Sequence, residues 1–229
     1  MILFMGGITA CAPDTVGIQR SNQFSPGSIK RIALLPFSAL PGSRGVYQSA
    51  GEGPAPYIET SEIRQSFETT TGPVPLRAHA TTITVPASAP GLITNMVYTN
   101  LLSRPGLKTI APEIASALIP KGMSVSELMK SRVEIQQLSK SLAVDALLFG
   151  VVRVYRERAG TKLAAIPAAV GFDINLVDGK TGVVLWKGDF FEEQKPLTED
   201  LRGFFARGGT FVTAEELARS GVHRVMERF

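Results

Sequence analysis

The strongest local signal in the chain is a β-hairpin near its C-terminal third. Residues 170–177 alternate between apolar and polar side chains, and residues 183–187 form a second apolar-rich stretch. The intervening Asp178-Gly-Lys-Thr-Gly182 supplies an aspartate that accepts turn hydrogen bonds and glycines that tolerate positive φ. The chain must therefore fold into a sheet with an antiparallel part, and Trp186, on the second strand, is interpreted as a core anchor rather than a platform for a sugar.

The order of the other elements predicts that this sheet is mixed. Residues 145–155 begin with a continuous apolar run, which is typical of a central strand covered on both faces. Residues 30–37 and 107–112 are shorter apolar strands. Helices are predicted from Pro90-Gly91 to Arg104, from the capping box Ser124–Glu127 to Leu142, near Leu197, and after Thr213. We expect a single α/β (α+β) domain over residues 30–229, with a mixed sheet and packed helices.

A long insertion, residues 38–89, separates the first strand from the first helix. It is rich in Gly, Pro, Ser and Thr, and its apolar residues are sparse and aperiodic. Connections of this length are usually functional when they are not simply disordered. Tyr57, Ile63 and Phe67 are the candidate partner-binding residues, since they are among its few apolar anchors. The alternative is an idle, disordered connection.

The first eleven residues carry a possible anchor. Ile8-Thr-Ala-Cys11 resembles the bacterial lipobox, and Cys11 is the chain's one cysteine. The resemblance implies that residues 1–10 are the remnant of a signal peptide, that Cys11 is the lipid attachment site, and that Ala12, which is not Asp, directs sorting to the outer membrane. Residues 11–29, rich in Pro, Gly, Ser, Asn and Gln, are then a lipidated flexible tether. No Lys or Arg precedes the apolar stretch, which indicates a start codon assigned too far downstream. The alternative is a buried N-terminal strand with an inert cysteine.

Composition and motifs exclude several classes of function. The net charge is +4, with Lys and Arg scattered through the chain, so nucleic acid binding is not indicated. Two histidines and one cysteine are a poor inventory for a metal site, and no cofactor is expected. His79 and His223 have no motif partner, and the acidic pairs Glu192-Glu193 and Glu199-Asp200 are interpreted as solvated or helix-stabilising. No catalytic residue is assigned, and the protein is not expected to be an enzyme.

Four segments, in this order, resemble the superfamily around the curli-secretion channel lipoprotein. The superfamily includes lipoprotein activators of penicillin-binding proteins, the exopolysaccharide-export lipoprotein ring and the N-terminal domain of TolB. The resemblance rests on Arg31–Phe37, on Gly91–Leu102 with Leu107–Ile110, on Leu138–Gly150 and on Asp173–Trp186. It implies a TolB N-terminal-domain-like fold and a periplasmic scaffold or secretion component that often assembles into rings. No pair of amphipathic membrane-spanning hairpins like that of the curli channel is found in the sequence.

We therefore expect an outer-membrane lipoprotein, anchored through lipid at Cys11 and facing the periplasm. It would act by contacts with envelope proteins in an assembly or secretion system, as a homo-oligomer. Two alternatives stay open, namely a monomeric activator of a peptidoglycan synthase and a hydrolase of wall polymer or lipid.

Overall fold

The structure, a computed structural model, describes residues 15–40, 85–160, 165–194 and 212–229. The strands are β1 (Val16–Arg20), β2 (Arg31–Leu34), β3 (Ser38–Ala39), β4 (Lys108–Ile110), β5 (Ala146–Arg156), β6 (Ala159–Gly160), β7 (Ala165–Ile166), β8 (Ala169–Asp178) and β9 (Val184–Glu193). The helices are α1 (Ala89–Leu102), α2 (Pro112–Ala117), α3 (Val125–Leu128), α4 (Arg132–Leu142) and α5 (Ala214–Glu227). Pro26–Ser28 form a single 3₁₀ turn.

The predicted hairpin is confirmed as β8 and β9. The Asp178 carboxylate accepts hydrogen bonds from the backbone N–H groups of Lys180 (2.9 Å) and Thr181 (2.6 Å). Gly182 follows with φ of 68°, a conformation that side chains with a Cβ rarely adopt. The turn is therefore fixed by its own sequence, and the strand register follows from it.

Around this hairpin the described strands form a seven-stranded mixed sheet in the order β1-β9-β8-β5-β2-β4, with β3 beside the end of β5. β2 is parallel to both β4 and β5, whereas β5, β8, β9 and β1 pair antiparallel. β5 lies at the junction of the two halves, and its first residues are buried on both faces. The prediction of a central, doubly covered strand is confirmed.

Helices cover both faces of the sheet. α1 and α5 pack on one face, where the largest buried side chains are Trp186, Phe172 and Phe190. α2, α3 and α4 pack on the other face against Leu147 and Val177. Trp186 is fully buried, which confirms its interpretation as a core anchor. The fold class predicted from the sequence is thus confirmed.

The capping box at Ser124 is confirmed, but the helix that it starts is shorter than predicted. α3 ends at Leu128, and a second cap begins α4, where the Ser131 hydroxyl accepts a hydrogen bond from the Glu134 N–H (3.4 Å). The periodic apolar residues continue through this break because both helices bury the same face. Periodicity alone therefore does not reveal the interruption.

The structure differs from the predicted 11–29 tether at β1. Val16 is buried, and the strand pairs antiparallel with β9, placing Val16 opposite Phe190 and Arg20 opposite Trp186. Two apolar residues, Val16 and Ile18, alternate among small and polar ones, which is too short a pattern to predict a strand. β1 forms because β9 offers it a free edge and the sheet offers it a core.

The structure also differs from the predicted 38–89 insertion at both of its ends. Ser38 and Ala39 form β3 beside Val151 and Val152, and α1 begins at Ala89. Val85 packs against the core. The domain therefore includes residues at both ends of the range predicted to be an insertion.

Candidate functional site

The end of the sheet where the parallel strands β2, β3 and β5 finish is called here the C-terminal end of the sheet. Three boundaries of the described ranges, at Thr15, Leu40 and Gln194, lie at this end. The Thr15 carbonyl accepts a hydrogen bond from the Phe191 N–H (3.1 Å), and the Leu40 N–H donates to the Val152 carbonyl (3.0 Å). The Gln194 N–H donates to the Ala168 carbonyl (2.9 Å). The chain thus enters β1 and leaves β3 and β9 at this end of the sheet.

Further boundaries lie at the same end. β6 and β7 follow directly from the end of β5, and the first N–H of α5 donates to the Glu157 carboxylate (3.1 Å). α1 also starts here, because it returns the chain from the end of β2 to the start of β4, where the Lys108 N–H reaches the Lys30 carbonyl (2.8 Å). Of the boundaries of the described ranges, only Phe229 lies at the other end of the sheet, where its ring packs against Trp186.

Three strands project beyond the rest at this end. Val16 lies in one cross-strand row with Phe190, Phe172 and Val152. β5, β8 and β9 continue past that row by about three residues each, or roughly 10 Å. The β6–β7 hairpin extends from them and carries Ile166, which is 43% exposed.

Charged side chains hold the projecting strands together. Arg156 forms an ion pair with Glu193 (2.6 Å) and donates from Nε to the Pro167 carbonyl (2.9 Å). Arg224 on α5 pairs with Glu192 (3.2 Å). These ion pairs join strand to strand and helix to sheet. A structural role is therefore enough to explain the charged groups, and no catalytic role is needed. Glu192-Glu193 is accordingly engaged in ion pairs, rather than solvated or near a helix terminus.

One acidic pair escaped the sequence analysis. Asp173 and Asp189 face each other across β8 and β9, and Arg153 lies 3.1 Å from the Asp173 carboxylate. Burial raises the pKa of Asp173, an effect that Arg153 opposes and Asp189 reinforces. A Cβ at Gly17 would lie 2.4 Å from the Asp189 carboxylate, so the glycine lets β1 approach the pair. The sequence signal that could have revealed this pair is one aspartate in the middle of each of the two predicted hairpin strands.

Some of the residues singled out from the sequence lie within the described ranges, and others lie outside them. Cys11, Tyr57, Ile63, Phe67, His79 and the pair Glu199-Asp200 lie outside them. His223 is exposed on α5, 3.2 Å from Glu227. Within the described ranges, no group of three or more His, Cys, Asp or Glu side chains is arranged to hold a metal ion. None of the described helices combines the length and apolarity needed to span a bilayer.

No protein-family model matches the sequence, and no curated protein matches it. The structure is similar to the PelC dodecamer from Paraburkholderia phytofirmans, with a TM-score of 0.50 and 10% identity, covering 93% of this chain and 94% of that one. Lipoprotein GNA1162 from Neisseria meningitidis gives 0.42 at 14% identity, covering 78% and 92% of the two chains. The C-terminal domain of LpoB from Salmonella enterica gives 0.33 at 14% identity, covering 48% and 73%.

This chain thus shares its fold with PelC, and the sequence resemblance includes an exopolysaccharide-export lipoprotein ring. The resemblance is therefore confirmed at the level of the fold, which is as far as an identity of 10% reaches.

Proposed function

We propose that the chain is a lipoprotein of the bacterial envelope, acylated at Cys11 and anchored in the outer membrane facing the periplasm. It acts as a non-catalytic scaffold or accessory component of an envelope assembly or secretion system. The observation that carries the proposal is a fold shared over 93% of the chain with a protein solved as a dodecamer. The lipobox-like sequence that ends at Cys11 supports it independently.

The second part of the proposal is self-assembly. A closed ring of one kind of subunit needs two different surfaces on each copy, which meet head to tail. Tyr57, Ile63 and Phe67 are proposed to take part in these contacts or in contacts with an envelope protein, because large apolar side chains are frequent at the centres of interfaces.

Acylation is tested in cells that express the gene from its native chromosomal context. Metabolic labelling with a fatty acid should mark the wild-type protein and leave Cys11→Ala unlabelled and released from membranes. Labelling of Cys11→Ala would refute the anchor. For sorting, Ala12→Asp should hold the protein in the inner membrane, while the matched control Ala12→Ser should leave it in the outer membrane.

Self-assembly is tested by the mass of the detergent-solubilised protein, measured by light scattering and native mass spectrometry. A discrete oligomer supports a scaffold. A stable monomer would contradict self-assembly and favour the alternative function, activation of a peptidoglycan synthase. Turnover of peptidoglycan or of lipid esters by the purified protein would contradict the non-catalytic role.

A further inference from the structure

The structure fixes how far the domain lies from its proposed lipid anchor. The chain is held from Thr15 onward, since the Thr15 carbonyl bonds the Phe191 N–H (3.1 Å) and Val16 is buried in the sheet. Only residues 12–14 separate Cys11 from Thr15. Four Cα-to-Cα steps span at most about 14 Å, even when fully extended. A lipid on Cys11 therefore keeps Thr15 within that distance of the bilayer surface.

The strand register says which part of the domain lies nearest to the anchor. Thr15 is at the C-terminal end of the sheet, beside Phe191, and β5, β8 and β9 project past it by about two residues each, or roughly 7 Å. The reach of the chain from Thr15 to Cys11 is thus about twice the height by which these strands project past Thr15. An anchored domain therefore holds the ends of these strands and the β6–β7 hairpin close to the bilayer surface.

The side chains at this end suit a headgroup layer. Ile166 on β7 and Phe191 on β9 are 43% and 38% exposed, and Arg158 and the Arg156–Glu193 ion pair lie on the adjoining strand ends. Exposed apolar side chains bordered by charged ones are typical of segments that lie at a membrane interface. The turn at the opposite end of β8 and β9 then points away from the membrane.

We propose that the C-terminal end of the sheet rests on the phospholipid surface, with Ile166 and Phe191 at the level of the headgroups. This inference depends on the proposed acylation of Cys11. The short segment before β1 then orients the domain as well as anchoring it, because so short a tether keeps the same end of the domain next to the membrane.

The experiment uses the acylated full-length chain in vesicles of phosphatidylethanolamine and phosphatidylglycerol. Since acylation blocks the thiol of Cys11, a spin label can be placed at Ile166→Cys alone. The matched control is Val184→Cys, which replaces a residue of similar exposure (37%) beside the hairpin turn at the other end of β9. Collisions of the Ile166→Cys label with a water-soluble nickel relaxant should be several-fold rarer in vesicles than in the soluble Cys11→Ala chain, while those of the Val184→Cys label should be equal in the two.

A longer tether supplies the second arm. Inserting a flexible Gly-Ser segment of about twenty residues between Asp14 and Thr15 should restore access of nickel to the Ile166→Cys label, because the domain is then free to leave the surface. Equal nickel access at the two labels in vesicles, with the acyl chains confirmed by mass, would overturn the membrane contact and leave the lipoprotein proposal standing. Equal protection at Ile166→Cys in the soluble Cys11→Ala chain, without vesicles, would assign this end to a contact between copies instead. A chain without acyl mass would overturn both proposals.

Discussion

Gly221, in the middle of the 14-residue helix α5, is a position where local propensity and packing predict opposite outcomes. Replacing a mid-helix glycine by alanine gains about 0.8–1 kcal/mol from propensity alone. A Cβ at this position, however, would lie 2.5 Å from Cδ1 and Cε1 of the Phe190 ring. Carbon atoms in contact prefer about 3.5–4.0 Å, so the ring and the helix would have to separate by roughly 1 Å.

The Phe190 ring has little room to move. It is fully buried, and the Phe172 ring lies 5.3 Å away between centroids. Overpacking of this kind costs about 1–3 kcal/mol, and a rigid ring on the sheet favours the upper part of that range. After the gain in propensity, Gly221→Ala should lower the free energy of unfolding by about 1–2 kcal/mol and the Tm by about 2–8 °C.

Urea unfolding followed by circular dichroism measures this difference. Ser220→Ala is the matched control, because its side chain is exposed on the same turn of α5 and only the propensity changes. It should raise stability slightly. In a Phe190→Leu background, which removes the ring, Gly221→Ala should cost measurably less than in the wild type. The packing argument fails if Gly221→Ala stabilises the protein as much as Ser220→Ala does.

Three further predictions concern the core, a helix cap and the insertion. Trp186→Ala should cost about 3–5 kcal/mol in urea unfolding, because the ring is fully buried and packs edge-on against Phe229; an unchanged Tm would place the ring outside the core. Hydrogen bonds from the backbone N–H and the hydroxyl of Thr213 lower the pKa of Glu216, so the stability it contributes is present above the pKa of a free glutamate and is lost as the pH falls through the lowered value. Glu216→Gln keeps an acceptor for both bonds but lacks the charge, so its Tm should lie slightly below that of the wild type at pH 7, and the difference should shrink as the pH falls below about 4.5; parallel Tm curves would contradict this. Replacing residues 44–83 with a Gly-Ser linker should leave the Tm within a few degrees but abolish assembly or partner capture, and the triple alanine variant of Tyr57, Ile63 and Phe67 should reproduce the loss of assembly; unfolding of the shortened chain would place the range in the core.

The elements predicted correctly from the sequence are those whose signal is complete within a short stretch. The hairpin turn carries its own aspartate and its Gly182, and the Ser124 and Thr213 caps each satisfy their helix ends with residues three positions away. The continuous apolar run at the start of β5 predicts that this strand is buried. Local chemistry determines each of these, so a single sequence suffices to find them.

The elements that were missed depend on distant partners. β1 exists because the edge of β9 accepts it, and β3 exists because β5 continues past β2. The sequences of residues 16–20 and 38–39 do not by themselves indicate either pairing. The Asp173–Asp189 pair likewise arises only from the register of β8 against β9. A sequence read alone assigns such residues to linkers or to alternating strands, because the contact that stabilises them lies far away in the chain.

Topology explains why these missed features gather near one end of the sheet. In a sheet with parallel strands β2 and β5, the connections that leave those strands must begin at their C-terminal ends, and binding sites of open α/β sheets occur outside those ends. The antiparallel β8 and β9 bring further connections to the same place, and β1 brings the N-terminal segment there as well. At this end of the sheet, the buried strands and helices determine where each connecting segment begins and ends. We therefore propose that residues outside the described ranges, among them Tyr57, Ile63 and Phe67, decide what the protein contacts.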